Sequence, residues 1–199
     1  MRLTRTLRFS QRNLPHWEVE GGRYFVTVRC ADSLPADVVA RLAEFGRALK
    51  EIEPRSESFA EMQRCLFAAL DRSLDAGFGE CPLRDPAAAT KVADELEGLT
   101  EAWGVAVPHY SILPNHWHAL IVPPPDGSSP LSAIIKRVKG RSACELRRAI
   151  GGSGPVWQRE WFDRWIRDEA EWEKCVAYIR NNPVRAGLAR TWVEHPWTK

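Results

Sequence analysis

Short alternating stretches and longer helical stripes succeed one another along this chain. "RYFVTVRC", residues 23–30, alternates bulky β-formers and predicts a strand. From Pro35 to Lys50 the apolar positions Val38, Val39, Leu42, Phe45 and Leu49 follow helical spacing, and Ser58 to Leu74 reads as a second helix. "DAGFGECPLRDP", 75–86, is punctuated by Gly and Pro and reads as a loop. Asp85-Pro86 opens a helix to about Trp103, with proline in the first turn, where its missing N–H costs nothing. "VAVPHYSIL", 105–113, predicts a strand, Pro114-Asn115 a tight turn, and "HWHALIVPP", 116–124, the return strand of a hairpin. Leu131 to Ile150 reads as a basic helix broken near Gly140. Residues 151–154 read as a turn, 155–167 as an alternating strand, and Asp168 to Arg180 as a helix that Pro183 ends within a few residues.

The resulting order is β-α-β-β-α-β with extra helices in the first crossover and a trailing helix. That is the ferredoxin-like pattern, an α+β fold with an antiparallel sheet. A length of 199 residues fits one domain over 1–199, with 1–20 as an N-terminal arm and 184–199 as a C-terminal tail. Five scattered cysteines without a CxxC pair argue against a disulfide framework and a cysteine zinc site. The first residues lack the apolar stretch of a signal peptide, and no apolar run approaches membrane-spanning length. A cytoplasmic protein with no membrane partner is expected.

The net charge of +2 says little, but its distribution says more. Residues 131–199 carry 14 Lys and Arg against 8 Asp and Glu, and six of the nine tryptophans lie there. Cations interleaved with aromatics suit single-stranded nucleic acid, because cations meet phosphates and aromatic faces stack on unpaired bases. The plainer reading is a solvated basic face over a tryptophan-rich core.

"PNHWH", 114–118, holds the most specific chemistry. Side chains alternate across a strand, so His116 and His118 share a face and Trp117 takes the other. Two imidazoles about 7 Å apart at Cα can chelate one divalent ion, given a third ligand from elsewhere. Without one, they hydrogen-bond within a polar sheet surface.

"PNHWHALIVPP", the upstream "NLPHWEVEGGRYFVTVRCADSLP" and the downstream "VKGRSACELRRAIGGSGPVWQREWFDRWIRDEAEWEKCVAYIRNNPVRAGLA" together resemble the REP-associated tyrosine transposases. These belong to the HUH superfamily of single-strand DNA transposases, in which U is a hydrophobic residue. The resemblance runs from about Leu14 to Leu188. It implies a ferredoxin-like fold, Mg²⁺ or Mn²⁺ held by His116, His118 and a third polar residue, and single-stranded or hairpin DNA as partner of a monomer or dimer. It also implies a tyrosine that attacks a phosphodiester and forms a 5′-phosphotyrosine link.

The resemblance places that tyrosine in "KGRSACEL", 139–146, where the chain has Arg141 or Ser142 instead. Of the three tyrosines, Tyr24 and Tyr110 read as packing residues; Tyr178, a substitute nucleophile at most, lies in "AYIRNNPVRAGL", which resembles the family's C-terminal motif, where a tyrosine is usual and is not the nucleophile. Glu145, one turn after Arg141, is the third-ligand candidate, or else the partner of Ser142 in a capping box. His109 is a further ligand candidate, and His16 belongs to an arm that packs on the domain. The candidate DNA contacts are Lys136, Arg137, Lys139, Arg141 and Arg147 on the basic helix, placed beside the metal face. Arg159, Arg164 and Arg167 follow on the last strand, then Arg180, Asn182 and Arg185 at the final helix end. Three activities fit: a DNA-nicking and joining transposase, a binding protein that does no chemistry, or a metal-dependent phosphodiesterase using water.

Overall fold

The computed structural model describes residues 5–11, 14–53 and 56–199. In chain order its strands and α-helices are β1 (Thr6–Gln11), β2 (Pro15–Val19), β3 (Arg23–Arg29), α1 (Ala36–Lys50), α2 (Glu57–Asp75), α3 (Pro86–Glu97), α4 (Leu99–Trp103), β4 (Ala106–Leu113), β5 (His116–Val122), α5 (Leu131–Ile150), β6 (Phe162–Ile166) and α6 (Glu169–Arg185). Four strands form an antiparallel sheet in the order β4-β5-β3-β6. That is the ferredoxin-like order expected from the sequence, with α1 and α2 inserted ahead of the first crossover helix. No helix among the described residues is long and apolar enough to cross a membrane.

The period of two along β3 and β5 divides the core into two layers. Val26, Val28, Trp117, Ala119 and Ile121 face α3 and α5, meeting Val92, Leu96, Ile134, Ile135 and Val138. Phe25 and Leu120 face the other way, toward Leu66, Leu70 and Leu74 of α2 and Val176 and Ile179 of α6. Helices therefore cover both faces. The second crossover helix, α5, lies against the Trp117 face, opposite the histidines. The expected placement of the basic helix beside the metal face is corrected by this.

Four local expectations also change. α5 runs unbroken through Gly140, because its buried stripe from Leu131 to Leu146 continues across it. That burial outweighs the roughly 0.5–1 kcal/mol a helical glycine costs. The predicted helix 86–103 divides at Gly98 into α3 and α4. The predicted strand 155–167 shortens to β6. Ahead of it, the Gln158 and Arg159 carbonyls accept from the Lys139 ammonium instead of joining a ladder. Finally, α6 continues past Arg180 to Arg185 with Pro183 inside its last turn.

The described terminal segments also pack into the fold. Within the N-terminal arm, β1 and β2 pair as an antiparallel hairpin, which sequence patterning did not reveal. His16 on β2 bonds Asp163 of β6 and stacks on Trp161 with ring centroids 4.3 Å apart. At the other end, Ile112 N–H donates to the Trp197 carbonyl (3.0 Å) and Lys199 N–H to Tyr110 (2.9 Å). The tail thus covers the open edge of β4.

Candidate active site

The histidine pair is set by its own turn. Asn115 is buried, and its side-chain amide donates to the carbonyls of Leu74 (3.4 Å) and Phe78 (3.0 Å). Its oxygen is therefore left facing His116, whose Nδ1–H donates to it at 2.7 Å. A neutral His116 with that tautomer has an acceptor at Nε2. His118 Nε2 lies 3.1 Å away and donates. His118 Nδ1 then accepts the Thr27 hydroxyl hydrogen at 2.8 Å, across the strand pair. Each imidazole is oriented through Nδ1 and aims Nε2 at the other.

Both rings are buried, and both are held neutral. Burial, followed by the neighbouring His118, pulls the His116 pKa well below its usual value. Burial, followed by the Arg185 cation, brings His118 down to about 3.

The helix α6 lays Tyr178 on this pair. Phe25, Phe67 and His118 surround the Tyr178 ring at centroid distances of 5.2–5.6 Å. The hydroxyl lies 3.5 Å from His118 Nε2 and donates to the Asp71 carboxylate of α2. Arg185 holds Asp71 at 3.0 Å and Asp75 at 2.5 Å. Burial, followed by the Asp71 charge and hydrogen bond, raises the phenol pKa, so the hydroxyl keeps its proton until a base removes it.

One turn further along α6, Asn182 falls on the same helical face. It has no solvent exposure, and neither end of its amide makes a hydrogen bond. It nevertheless lies close enough to the Tyr178 hydroxyl to temper the rise in its pKa. An orphaned buried amide beside two converging imidazoles fits a divalent cation. Two nitrogens at ordinary ligand distances of about 2.1 Å and a right angle lie about 3 Å apart, as these Nε2 atoms do. To ligate, His118 would take the other tautomer, its Nδ1–H donating to the Thr27 hydroxyl as the His116 Nδ1–H donates to Asn115, and both bonds would then be the outer-shell support of ligating histidines. No cluster of three His, Cys, Asp or Glu suited to a metal exists among the described residues; the Asn182 amide, beside the Tyr178 hydroxyl, is a candidate third donor.

Comparison with known proteins now bears on this geometry. Residues 83–182, half of the chain, match the family model described as "Transposase IS200 like". The chain belongs to the IS200-like transposase family. Its fold is similar to that of a REP-associated tyrosine transposase solved bound to a REP hairpin. The TM-score is 0.55 at 16% identity, over 92% of this chain and 79% of that one. A Haemophilus influenzae protein described as uncharacterized is 26% identical over 100 residues, covering 40% of this chain and 55% of that protein. The chain thus spans about half the length of that curated relative. The matched span begins at Leu83, so this family member's α1 and α2 lie outside it.

The transposase-family fold brings together fewer of the expected residues than the sequence suggested. His116, His118, Tyr178, Asn182 and Arg185 converge. Arg141, Ser142 and Glu145 do not, because α5 lies on the opposite face. Arg141 pairs with Glu95 of α3 at 2.7 Å, and Glu145 pairs with Arg148 at 2.5 Å. The Ser142 hydroxyl donates back to the Val138 carbonyl (2.7 Å) and accepts from the Trp157 indole (3.1 Å). It is neither a nucleophile position nor half of a capping box. Tyr24 and Tyr110 are packing residues, bonded to Val19 and Glu97. His109 bonds the Lys199 carbonyl and joins no ligand cluster among the described residues.

The expected DNA contacts are likewise scattered. Lys136, Arg147 and Arg159 are solvent-exposed and lie outside the histidine site. Arg137 stacks on Trp103, and Lys139 is tied to the carbonyls ahead of β6, with its pKa lowered by burial to about 8. On the α6 side, Arg164 pairs with Glu171, Arg167 stacks on Trp165 and Arg180 on Trp192. Asp71 escaped the sequence reading altogether. A carboxylate 107 residues from its partner tyrosine leaves no local signal.

Proposed function

We propose that this protein is a tyrosine transposase acting on single-stranded or hairpin DNA, with Tyr178 as its nucleophile. The observation that carries this reading is the Tyr178 hydroxyl, 3.5 Å from His118 Nε2 and bonded to Asp71. A nucleophile, an adjacent base and a third group orienting the base form the usual pattern of an activated nucleophile. The Tyr178 O–H proton passes to Asp71 as the phenolic oxygen forms a bond to phosphorus. The P–O3′ bond breaks, and the departing 3′ oxygen takes a proton from water. A 5′-phosphotyrosine remains and conserves the phosphodiester for rejoining.

His116, His118 and Asn182 would hold Mg²⁺ or Mn²⁺, which relieves charge on the phosphate oxygens when bound. Arg185 stands behind Asp71 and fixes which carboxylate oxygen meets the phenol. The DNA partner is supported by family membership and by the hairpin-bound relative of the same fold.

The test is incubation with single-stranded and hairpin oligonucleotides plus Mn²⁺, read on a denaturing protein gel. A covalent protein–DNA band that Tyr178→Phe abolishes is expected. Two alternatives give different outcomes. The near-complete burial of both imidazoles favours a binder without chemistry, which would retard DNA and leave it intact. A phosphodiesterase using water would release cut DNA with no adduct, and Tyr178→Phe would still cut.

A further inference from the structure

Arg29 takes no part in the chemistry above. The strand register sets it directly across from His116, and alternation puts it on the same face as Thr27, the partner of His118. It is 9% exposed. Its guanidinium donates from one nitrogen to the Cys30 carbonyl and the Ser33 hydroxyl, both at 3.3 Å. No carboxylate among the described residues pairs with it. Asp32, the nearest by charge, has its carboxylate on the Glu80 N–H at 2.7 Å. A buried cation without an anion or a full set of acceptors is costly to keep.

Beside it opens a slot of about 130 Å³. Leu42, Leu66, Leu70, Trp161 and Phe162 contribute its walls, while Thr27, Arg29, Gln158 and Glu160 add polar edges. Trp161 is fixed from behind by the stacked His16, and its indole N–H is buried without a partner. The slot therefore combines apolar surfaces with a guanidinium that no described carboxylate pairs, and with the Glu160 side chain at its edge. A phosphate would lose its water against these walls for a single cation. A nucleobase fits both features: apolar faces for the leucines and aromatics, and an edge of acceptors for the guanidinium. Guanine offers O6 and N7 together to an arginine fork, whereas adenine presents a donor beside N7.

We propose that this slot takes an unpaired guanine base, turned out of the stack beside the cleaved phosphate, with Arg29 donating to O6 and N7. The placement beside the cleaved phosphate rests on the single-strand DNA reading above; the slot itself does not. Thr27 lines the slot and holds His118, so the base would lie against the histidine pair.

The first experiment needs no DNA. Guanosine at millimolar concentration should raise the melting temperature of the wild-type protein, adenosine should not, and Arg29→Gln should lose the response. The second uses oligo(dT) with and without a single dG. The dG strand should bind at least tenfold tighter, and 7-deazaguanine, which lacks the N7 acceptor, should lose most of the gain. Arg29→Gln should remove the dG preference and leave binding of all-dT unchanged. Leu42→Trp, which fills the slot and keeps Arg29, should remove it too and guards against misfolding of the arginine variant. Equal weakening of every strand by Arg29→Gln would make Arg29 a phosphate contact and overturn the proposal. So would wild-type protein that forms the Tyr178 adduct without preferring dG, an outcome that leaves the transposase reading standing. A guanosine response in protein that forms no adduct would support the slot and count against that reading alone.

Discussion

The Asp71 carboxylate, on α2, accepts the hydroxyl hydrogen of Tyr178, on α6. Arg185 takes the other carboxylate oxygen at 3.0 Å, so the acceptor cannot turn away. The carboxylate comes from outside the span shared with the family model, and the tyrosine from within it. If Asp71 receives the phenolic proton, Asp71→Asn keeps the shape and removes the base. Single-turnover adduct formation should then fall by roughly 10²–10⁴, the usual worth of a positioned base. Oligonucleotide affinity should hold. An adduct rate within a few-fold of wild type would reduce Asp71 to a packing partner.

Asn182 carries a second expectation. Its amide is buried with both ends unsatisfied, an arrangement that costs about 1–3 kcal/mol. Asn182→Leu should therefore leave the metal-free protein as stable or more stable by urea unfolding. The same change should abolish Mn²⁺ binding, followed by titration calorimetry, and the adduct with it. Unchanged Mn²⁺ affinity would remove the amide from the ligand set.

A third expectation concerns the helix the sequence favoured. α5 lies behind the sheet, so Arg141→Ala and Glu145→Ala should leave adduct formation unchanged. Ser142→Ala should affect stability instead. It removes the acceptor of the buried Trp157 indole and should cost about 1–3 kcal/mol in urea unfolding, with adduct chemistry intact. Loss of adduct in Glu145→Ala, with folding retained, would return α5 to the site.

The sheet, its order and the shared face of His116 and His118 were legible because period-two alternation and hairpin turns are local signals. The face that α5 covers was legible in principle. Trp117, Ala119 and Ile121 present the more apolar surface to an amphipathic helix, and right-handed crossovers put α3 and α5 on one side. Asn182 was expected as a DNA contact at the helix end, and its place on the face of Tyr178 was hidden by Pro183. A proline read as a helix stop left Asn182 outside the helix and off the face of Tyr178, whereas α6 tolerates the proline in its last turn. The β1–β2 hairpin is short and has little apolar patterning, and Asp71 and Arg29 acquire their roles only through contacts distant in sequence.

The histidine pair gives the protein a defined response to acid. In the unfolded chain both imidazoles titrate near 6.5. In the fold, burial and then Arg185 lower His118 to about 3, and burial and then His118 lower His116 as well. Below pH 6.5 the unfolded chain therefore binds protons that the folded protein refuses. Stability falls as pH drops, at up to about 1.4 kcal/mol per pH unit for each histidine. Above pH 6.5 the pair adds nothing to the slope. Urea unfolding without divalent metal between pH 5 and 8 reads this above the carboxylate range. The wild type should lose stability steeply from 6.5 to 5, and His118→Gln should lose about half as much. A flat wild-type profile over that window would mean that the imidazoles are hydrated and charged in the fold, and the converging neutral pair would have to be abandoned.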